Sequence, residues 1–175
     1  MNPAPRRARK FLVFTLGETR FALPIEAIAE IVQPRPLTVL PKAPPFLRGL
    51  MRLREQVVPV LDLRERFGLP AGSSNRWVIV KRPALIAYQV DRVDEVADCP
   101  EGGLQPAPAA ASALVPGDFI EGVLTAGDQG FVIALRPEML LSSIEQSRLG
   151  QALPAELATG KQAELASENP AEPAK

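Results

Sequence analysis

The side chains that could carry chemistry are few. Histidine is absent from the 175 residues, and Cys99 is the single cysteine. The commonest general base and the commonest metal ligand are therefore missing, and one thiol can neither close an internal disulfide nor build a thiolate metal site. Asp91, Asp94, Glu95 and Asp98 form an acidic cluster. Their spacing is not that of a calcium loop, and a solvated charged turn accounts for them better. Cys99 precedes Pro100 with no cationic neighbour in sequence to lower its pKa, so it reads as an inert thiol. No phosphate-cradling glycine loop or nucleophile elbow occurs. These absences predict no enzyme, no catalytic or metal-binding residue and no cofactor. What remains is recognition. Arg52, Arg54 and Glu55 sit in Arg52-Leu53-Arg54-Glu55, where guanidinium groups at a hairpin tip would suit a carboxylate or backbone carbonyls on a partner. Arg54 could instead fold back onto Asp62 or Glu30 and merely fix the turn; the residues alone weigh the two evenly.

Charge and composition bound the class. Lys and Arg number 20, as do Asp and Glu, and 46% of residues are hydrophobic. A globular protein is expected, and zero formal charge argues against a nucleic-acid binder. The longest uncharged stretch, Gly102–Gly117, is mostly Ala and carries Pro106, Pro108 and Pro116, so it predicts no membrane insertion. Arg6, Arg7, Arg9 and Lys10 precede Phe11–Leu16, an apolar run too short for a secretion signal, which makes a cytoplasmic location the expectation. Residues 1–9 read as a flexible basic arm and 150–175 as a disordered tail. In that tail Leu153, Leu157 and Leu165 are the only large apolar side chains, too few to offset the entropy of ordering.

The elements that must position the recognition residues are short strands. Phe11–Leu16 and Thr19–Pro24 flank the hairpin signal Gly17-Glu18, Val57–Leu63 and Trp77–Val80 are rich in β-branched residues, and Leu85–Val90 and Phe131–Leu135 complete the clear set. Pro59 within Val57–Leu63 suggests an edge strand or a bulge. Asp62–Phe67 and Pro137–Arg148 read as helical, the latter with Met139, Leu140 and Ile144 on one face. An internal duplication organises all of this. Ile25-Glu26-Ala27-Ile28-Ala29-Glu30-Ile31 returns 65 residues later as Val90-Asp91-Arg92-Val93-Asp94-Glu95-Val96. Phe46-Leu47-Arg48-Gly49-Leu50 is matched 73 residues on by Phe119-Ile120-Glu121-Gly122-Val123, and Val58–Leu61 is matched 74 residues on by Val132–Leu135. The growing offset falls in the Pro/Ala-rich residues 99–118, read as an inserted loop. Two similar halves of about five short strands each are too small for open sheets and predict closure into small barrels.

The run from Pro41 to Arg64 resembles the signature of the CheW-like family, the coupling proteins of bacterial chemotaxis. Pro41, Pro44, Gly49, Leu53, Arg54, Pro59, Asp62, Leu63 and Arg64 match its pattern, and the resemblance extends over about residues 10–145 through Phe14–Gly17, Ile28-Ala29-Glu30-Ile31 and Val90-Asp91. It implies an all-β protein with short helices: two tandem five-stranded SH3-like β-barrels, spanning 10–149, closed by a C-terminal helix. It further implies a non-enzymatic adaptor that couples the cytoplasmic tip of a methyl-accepting chemoreceptor to the regulatory domain of a chemotaxis-type histidine kinase. The receptor tip is expected in a groove near Ile28, Glu30 and Gly49. Plain core packing for Ile28, and a backbone position open only to glycine for Gly49, are the competing readings. The chain departs from the pattern with Arg52 for the usual Asn, Glu55 for Gly, Ala87 for Gly and Arg136 for Asp. If the usual Gly marks φ > 0, Glu55 strains its turn by roughly 1 kcal/mol. These departures leave open an adaptor of a pilus or gliding pathway, or a homologue that binds a single partner.

Overall fold

The structure, a computed structural model, describes residues 8–81, 85–125, 130–142, 145–149 and 151. Eleven strands among them build two sheets. The first hairpin is β1 (Arg9–Leu16) and β2 (Thr19–Pro24), joined at Gly17-Glu18 as the sequence signal predicts. A 3-10 turn (Ile25–Ala27) leads into β3 (Ile28–Val32), followed by β4 (Leu47–Leu53), β5 (Gln56–Asp62) and helix α1 (Leu63–Phe67). The antiparallel pair β6 (Arg76–Val80) and β7 (Ile86–Val90) follows, after which β8 (Arg92–Cys99) begins. Within 99–118 lie the two-residue strand β9 (Leu104–Gln105) and helix α2 (Ala109–Leu114). The strands end with β10 (Ile120–Thr125) and β11 (Phe131–Leu135).

The two sheets have the same plan. One runs β3-β6-β7-β5-β4 and the other β8-β1-β2-β11-β10-β9. In each, a hairpin occupies the centre, one of its strands pairing in parallel with a strand of the duplicated segment: β7 with β5, β2 with β11. The hairpin that completes each sheet comes from the other half of the chain. The barrels are therefore interleaved along the sequence, each half lending its first two strands to its counterpart. Even the irregularities repeat. Ala29 and Asp94 are the extra residues of matched bulges in β3 and β8, and Arg48 and Glu121 are those of β4 and β10.

Each barrel has its own core. Met51, Leu53, Val58, Val60, Trp77 and Ile79 fill one; Phe11, Val13, Cys99, Leu124 and Val132 fill the other. The central hairpins are buried on both faces, so β1 also turns Leu12, Phe14 and Leu16 inward. Phe14, Phe21, Phe67 and Phe119 form a chain of ring contacts 5.5–6.1 Å apart. The Arg66 guanidinium lies 4.3 Å from the Phe46 ring and 5.2 Å from that of Phe119, the two equivalent phenylalanines of the duplication. Cys99 lies in the second core, and burial pushes its thiol pKa up against the opposing pull of Arg9.

Two local expectations need correction. Pro59 is on an interior strand of its sheet, yet it removes no ladder bond. Leu50, opposite it, spends both its N–H and its C=O on Thr38 at 2.8 Å, so this pair exchanges no bonds and the Pro59 nitrogen faces the side where pairing with β7 starts only at Val60. Pro137–Arg148 is not one helix. Pro137–Met139 is a single 3-10 turn with Met139 41% exposed, and residues 145–149 form a separate helical stretch. Ser142 and Glu145 start that stretch with a capping box: the Glu145 N–H donates to Ser142 Oγ at 3.2 Å and the Ser142 N–H to Glu145 Oε2 at 2.6 Å. The Ser-x-x-Glu spacing was present in the sequence and is the signal that marks the break. Residues 1–7 of the basic arm, Ile144, and the tail apart from Gln151 lie outside the described residues; Arg9 opens β1.

Gly49 and Gly122 explain why the matched bulges carry glycine. A Cβ on Gly49 would lie 2.4 Å from the Thr38 carbonyl oxygen, and one on Gly122 would lie 2.6 Å from that of Gln105. Both glycines let a further stretch of backbone close against the edge of the sheet, Thr38 against Leu50 and β9 against β10. Gly49→Ala should therefore lower unfolding free energy by about 2–3 kcal/mol in urea titration, since its φ of 145° is strained as well. Gly117→Ala, whose nearest atom would be 3.9 Å away, should stay within about 0.5 kcal/mol of the parent.

Candidate recognition surface

The hairpin between β4 and β5 turns on two residues, Arg54 and Glu55, between the paired Leu53 and Gln56. Positive φ falls on Arg54, at 55°, and not on Glu55. This corrects the expected location of the strain: a turn with positive φ at its first central position leaves Glu55 in ordinary backbone. Arg52, at the end of β4, donates from Nε to the Arg54 carbonyl at 3.3 Å and braces the turn. Arg54 reaches across to β3, where its Nη1 lies 3.3 Å from Glu30 Oε1. The bulge at Ala29 sets the register of Glu30 on that strand.

The structure thus joins Glu30, Arg52 and Arg54 in one chain of contacts, with Glu55 exposed beside them. Ile28 is two residues from Glu30, half-buried at the start of β3. Gly49 is buried in β4, where its tight approach to Thr38 gives it a backbone role. Of the alternatives weighed for Arg54, the fold-back toward Glu30 is present, and the side chain remains 79% exposed against 30% for Glu30. An ion pair so exposed contributes little to stability, about 0–1 kcal/mol. Ile31, 42% exposed on the same edge strand, was missed as a surface residue because the duplication marks it only as apolar.

A second arginine has a different environment. Asp62 caps α1, accepting from the Arg64 and Glu65 N–H groups at 2.9 and 3.4 Å. This presents Arg64 to Asp91, at the junction of β7 and β8. Arg64 Nε donates to Asp91 Oδ1 at 2.8 Å and Nη2 to Oδ2. Asp91 Oδ2 also accepts the Gly17 N–H at 2.7 Å, while Arg64 Nη1 donates to the Pro70 carbonyl at 2.6 Å. The hydrogen bonds to Asp91 raise the Arg64 pKa further, so the charge is permanent. Side-chain exposure of the pair is only 12% and 18%. The rest of the acidic cluster is also paired: Asp94 with Arg92 at 2.5 Å, Glu95 with Arg20 at 2.6 Å and Asp98 with Lys10 at 2.7 Å. Its carboxylates hold strands together, and among the described residues no group of acids is arranged to bind a metal ion.

Double-mutant cycles should separate the two kinds of arginine. Arg64/Asp91 should show a coupling of about 1–3 kcal/mol, because breaking it strands a partly buried charge and loses a bidentate geometry. Arg54/Glu30 should show less than about 1 kcal/mol. Equal couplings would contradict the distinction.

Comparison with known proteins follows the same outline. The CheW-like domain family model matches residues 10–145. A probable chemotaxis protein CheW of Rhizobium etli is 30% identical over 141 residues, covering 78% of this chain and 90% of the relative. A chemotaxis protein CheW of Klebsiella aerogenes is 31% identical over 143 residues, covering 79% and 85%. The crystal structure of the scaffolding protein TtCheW from Thermoanaerobacter tengcongensis superimposes with a TM-score of 0.70 at 29% identity, covering 77% of this chain and 92% of that one. With the paired barrels, the repeated bulges and this match over nearly all of the described strands, the chain belongs to the CheW-like domain family.

Proposed function

We propose that this protein is a non-enzymatic adaptor of bacterial chemotaxis-type signalling, coupling chemoreceptor cytoplasmic tips to a chemotaxis-type histidine kinase. Membership of a family whose relatives are named chemotaxis and scaffolding proteins supports the role. The observation that carries the site is Arg54. It is a non-glycine residue at positive φ, braced by Arg52, directed by Glu30 and yet 79% exposed. A strained backbone that stabilises little in its own fold is accounted for if it presents a guanidinium to a partner.

Arg52, Arg54 and Glu55 form the kinase-binding tip in this reading. Ile28 and Glu30 contribute to the receptor groove, with Gly49 shaping its floor through the backbone. The adaptor acts in the cytoplasm and is recruited to receptor assemblies at the membrane; no described helix is long and apolar enough to cross one. Its mechanism is physical. A rigid pair of barrels that engages two partners at once raises their effective concentration, so contacts that are individually weak suffice.

Arg54→Gly tests this directly, since it relieves the strained φ while removing the guanidinium. The variant should be more stable than the parent by about 1 kcal/mol in chemical denaturation. Calorimetry against the regulatory domain of the organism's chemotaxis-type kinase should show binding weakened at least about tenfold, or roughly 1.4 kcal/mol. Unchanged affinity in the stabilised variant would remove Arg54 from the interface.

A further inference from the structure

The zero net charge of this chain conceals a separation of charge between its two matched segments. Residues 31–54 contain five bases, Arg35, Lys42, Arg48, Arg52 and Arg54, and no acid. The corresponding segment of the duplication, residues 96–125, contains four acids, Asp98, Glu101, Asp118 and Glu121, and no base. Even the extra residue of the matched bulges follows this rule, being Arg48 in β4 and Glu121 in β10.

The two sides are not treated alike by the fold. β1 lies in the same sheet as the acidic segment and supplies counter-charges: Arg9 meets Glu121 at 2.5 Å and Lys10 meets Asp98 at 2.7 Å. In the basic segment Arg54 is met by Glu30 of β3 at 3.3 Å, and the rest of the segment receives no such supply among the described residues. Arg35, Lys42 and Arg48 are exposed and have no ion pair among the described residues. Val39, 74% exposed, lies among them.

We infer that this edge of the five-stranded sheet, marked by Arg35, Lys42 and Arg48 with Val39, is a docking surface for a carboxylate-rich segment of a protein partner. The inference is independent of the adaptor role and of the Arg54 tip. Charge complementarity selects the occupant, because most of these bases are arginines suited to bidentate carboxylate contacts. Addition of a strand through main-chain bonds is disfavoured: Thr38 already occupies the backbone of Leu50, and Pro34, Pro36 and Pro41 interrupt the covering segment. Recognition is therefore by side chains. A lipid surface is the weaker fit, since the bases are spread over a loop and a strand with no amphipathic helix beside them to anchor it.

The test uses the full chain and a fluorescent peptide of alternating Glu and Leu, followed by anisotropy at about 50 and about 200 mM salt. The parent should bind the peptide and lose affinity as salt rises. The triple variant Arg35→Glu, Lys42→Glu, Arg48→Glu, with its fold checked by circular dichroism, should bind at least about tenfold more weakly. The control variant Arg76→Glu, Lys81→Glu, which reverses exposed charges elsewhere, should stay within about twofold. Absence of binding by the parent, or equal loss in the control, would overturn the proposal. So would tighter binding to phosphatidylserine vesicles than to the peptide if the triple variant abolished it, because the surface would then be a lipid site.

Discussion

The pairing of Arg64 with Asp91 is the contact on which the arrangement of this molecule turns. Arg64 stands on α1, directly after β5 of one sheet, and Asp91 stands at the crossing into β8 of the other. The same carboxylate accepts the Gly17 N–H from the tip of the first hairpin. One carboxylate thereby ties three segments that lie far apart in sequence, with little solvent access to weaken it. The Asp-Leu-Arg of residues 62–64 serves two purposes in sequence: the Asp stops β5 by capping the helix, and the Arg makes the tie.

Interleaving of the two barrels gives this tie its leverage. Each hairpin is central in a sheet whose other principal strands come from the opposite half of the chain. Neither half can complete a sheet alone. Arg66 between the half-buried Phe46 and Phe119 repeats the principle, one side chain touching equivalent positions of both copies. A body organised in this way is stiff, and stiffness is what an adaptor requires. A flexible link between two partner sites would lose much of the gain in effective concentration.

On the surface, the two halves diverge where the cores agree. The matched bulges, glycines and edge closures recur in both copies, while the extra residue of the β4 and β10 bulges is a base, Arg48, in one and an acid, Glu121, in the other. In the acidic copy Glu121 and Asp98 are paired with β1, whereas Arg35, Lys42 and Arg48 of the basic copy are exposed. Duplication followed by divergence of exposed positions is a physically inexpensive way to derive two surfaces from one barrel, because exposed substitutions change stability by only about 0.5 kcal/mol.

By itself the sequence determined the absence of histidine-based and dithiol chemistry, the short strands, the hairpin at Gly17-Glu18, the helical stretch at Asp62–Phe67, the duplication, and a hairpin tip at Arg52–Glu55. These follow from residue type and local spacing, which are one-dimensional properties. The sequence did not decide which hairpin completes which sheet, because pairing between β2 and β11 or β5 and β7 depends on closing two cores at once. Nor could it place the positive φ on Arg54 rather than Glu55, since that depends on the register in which Leu53 meets Gln56. The partners of the acidic cluster were hidden for the same reason: Asp91 and Arg64, 27 positions apart, become neighbours only when the sheets are assembled.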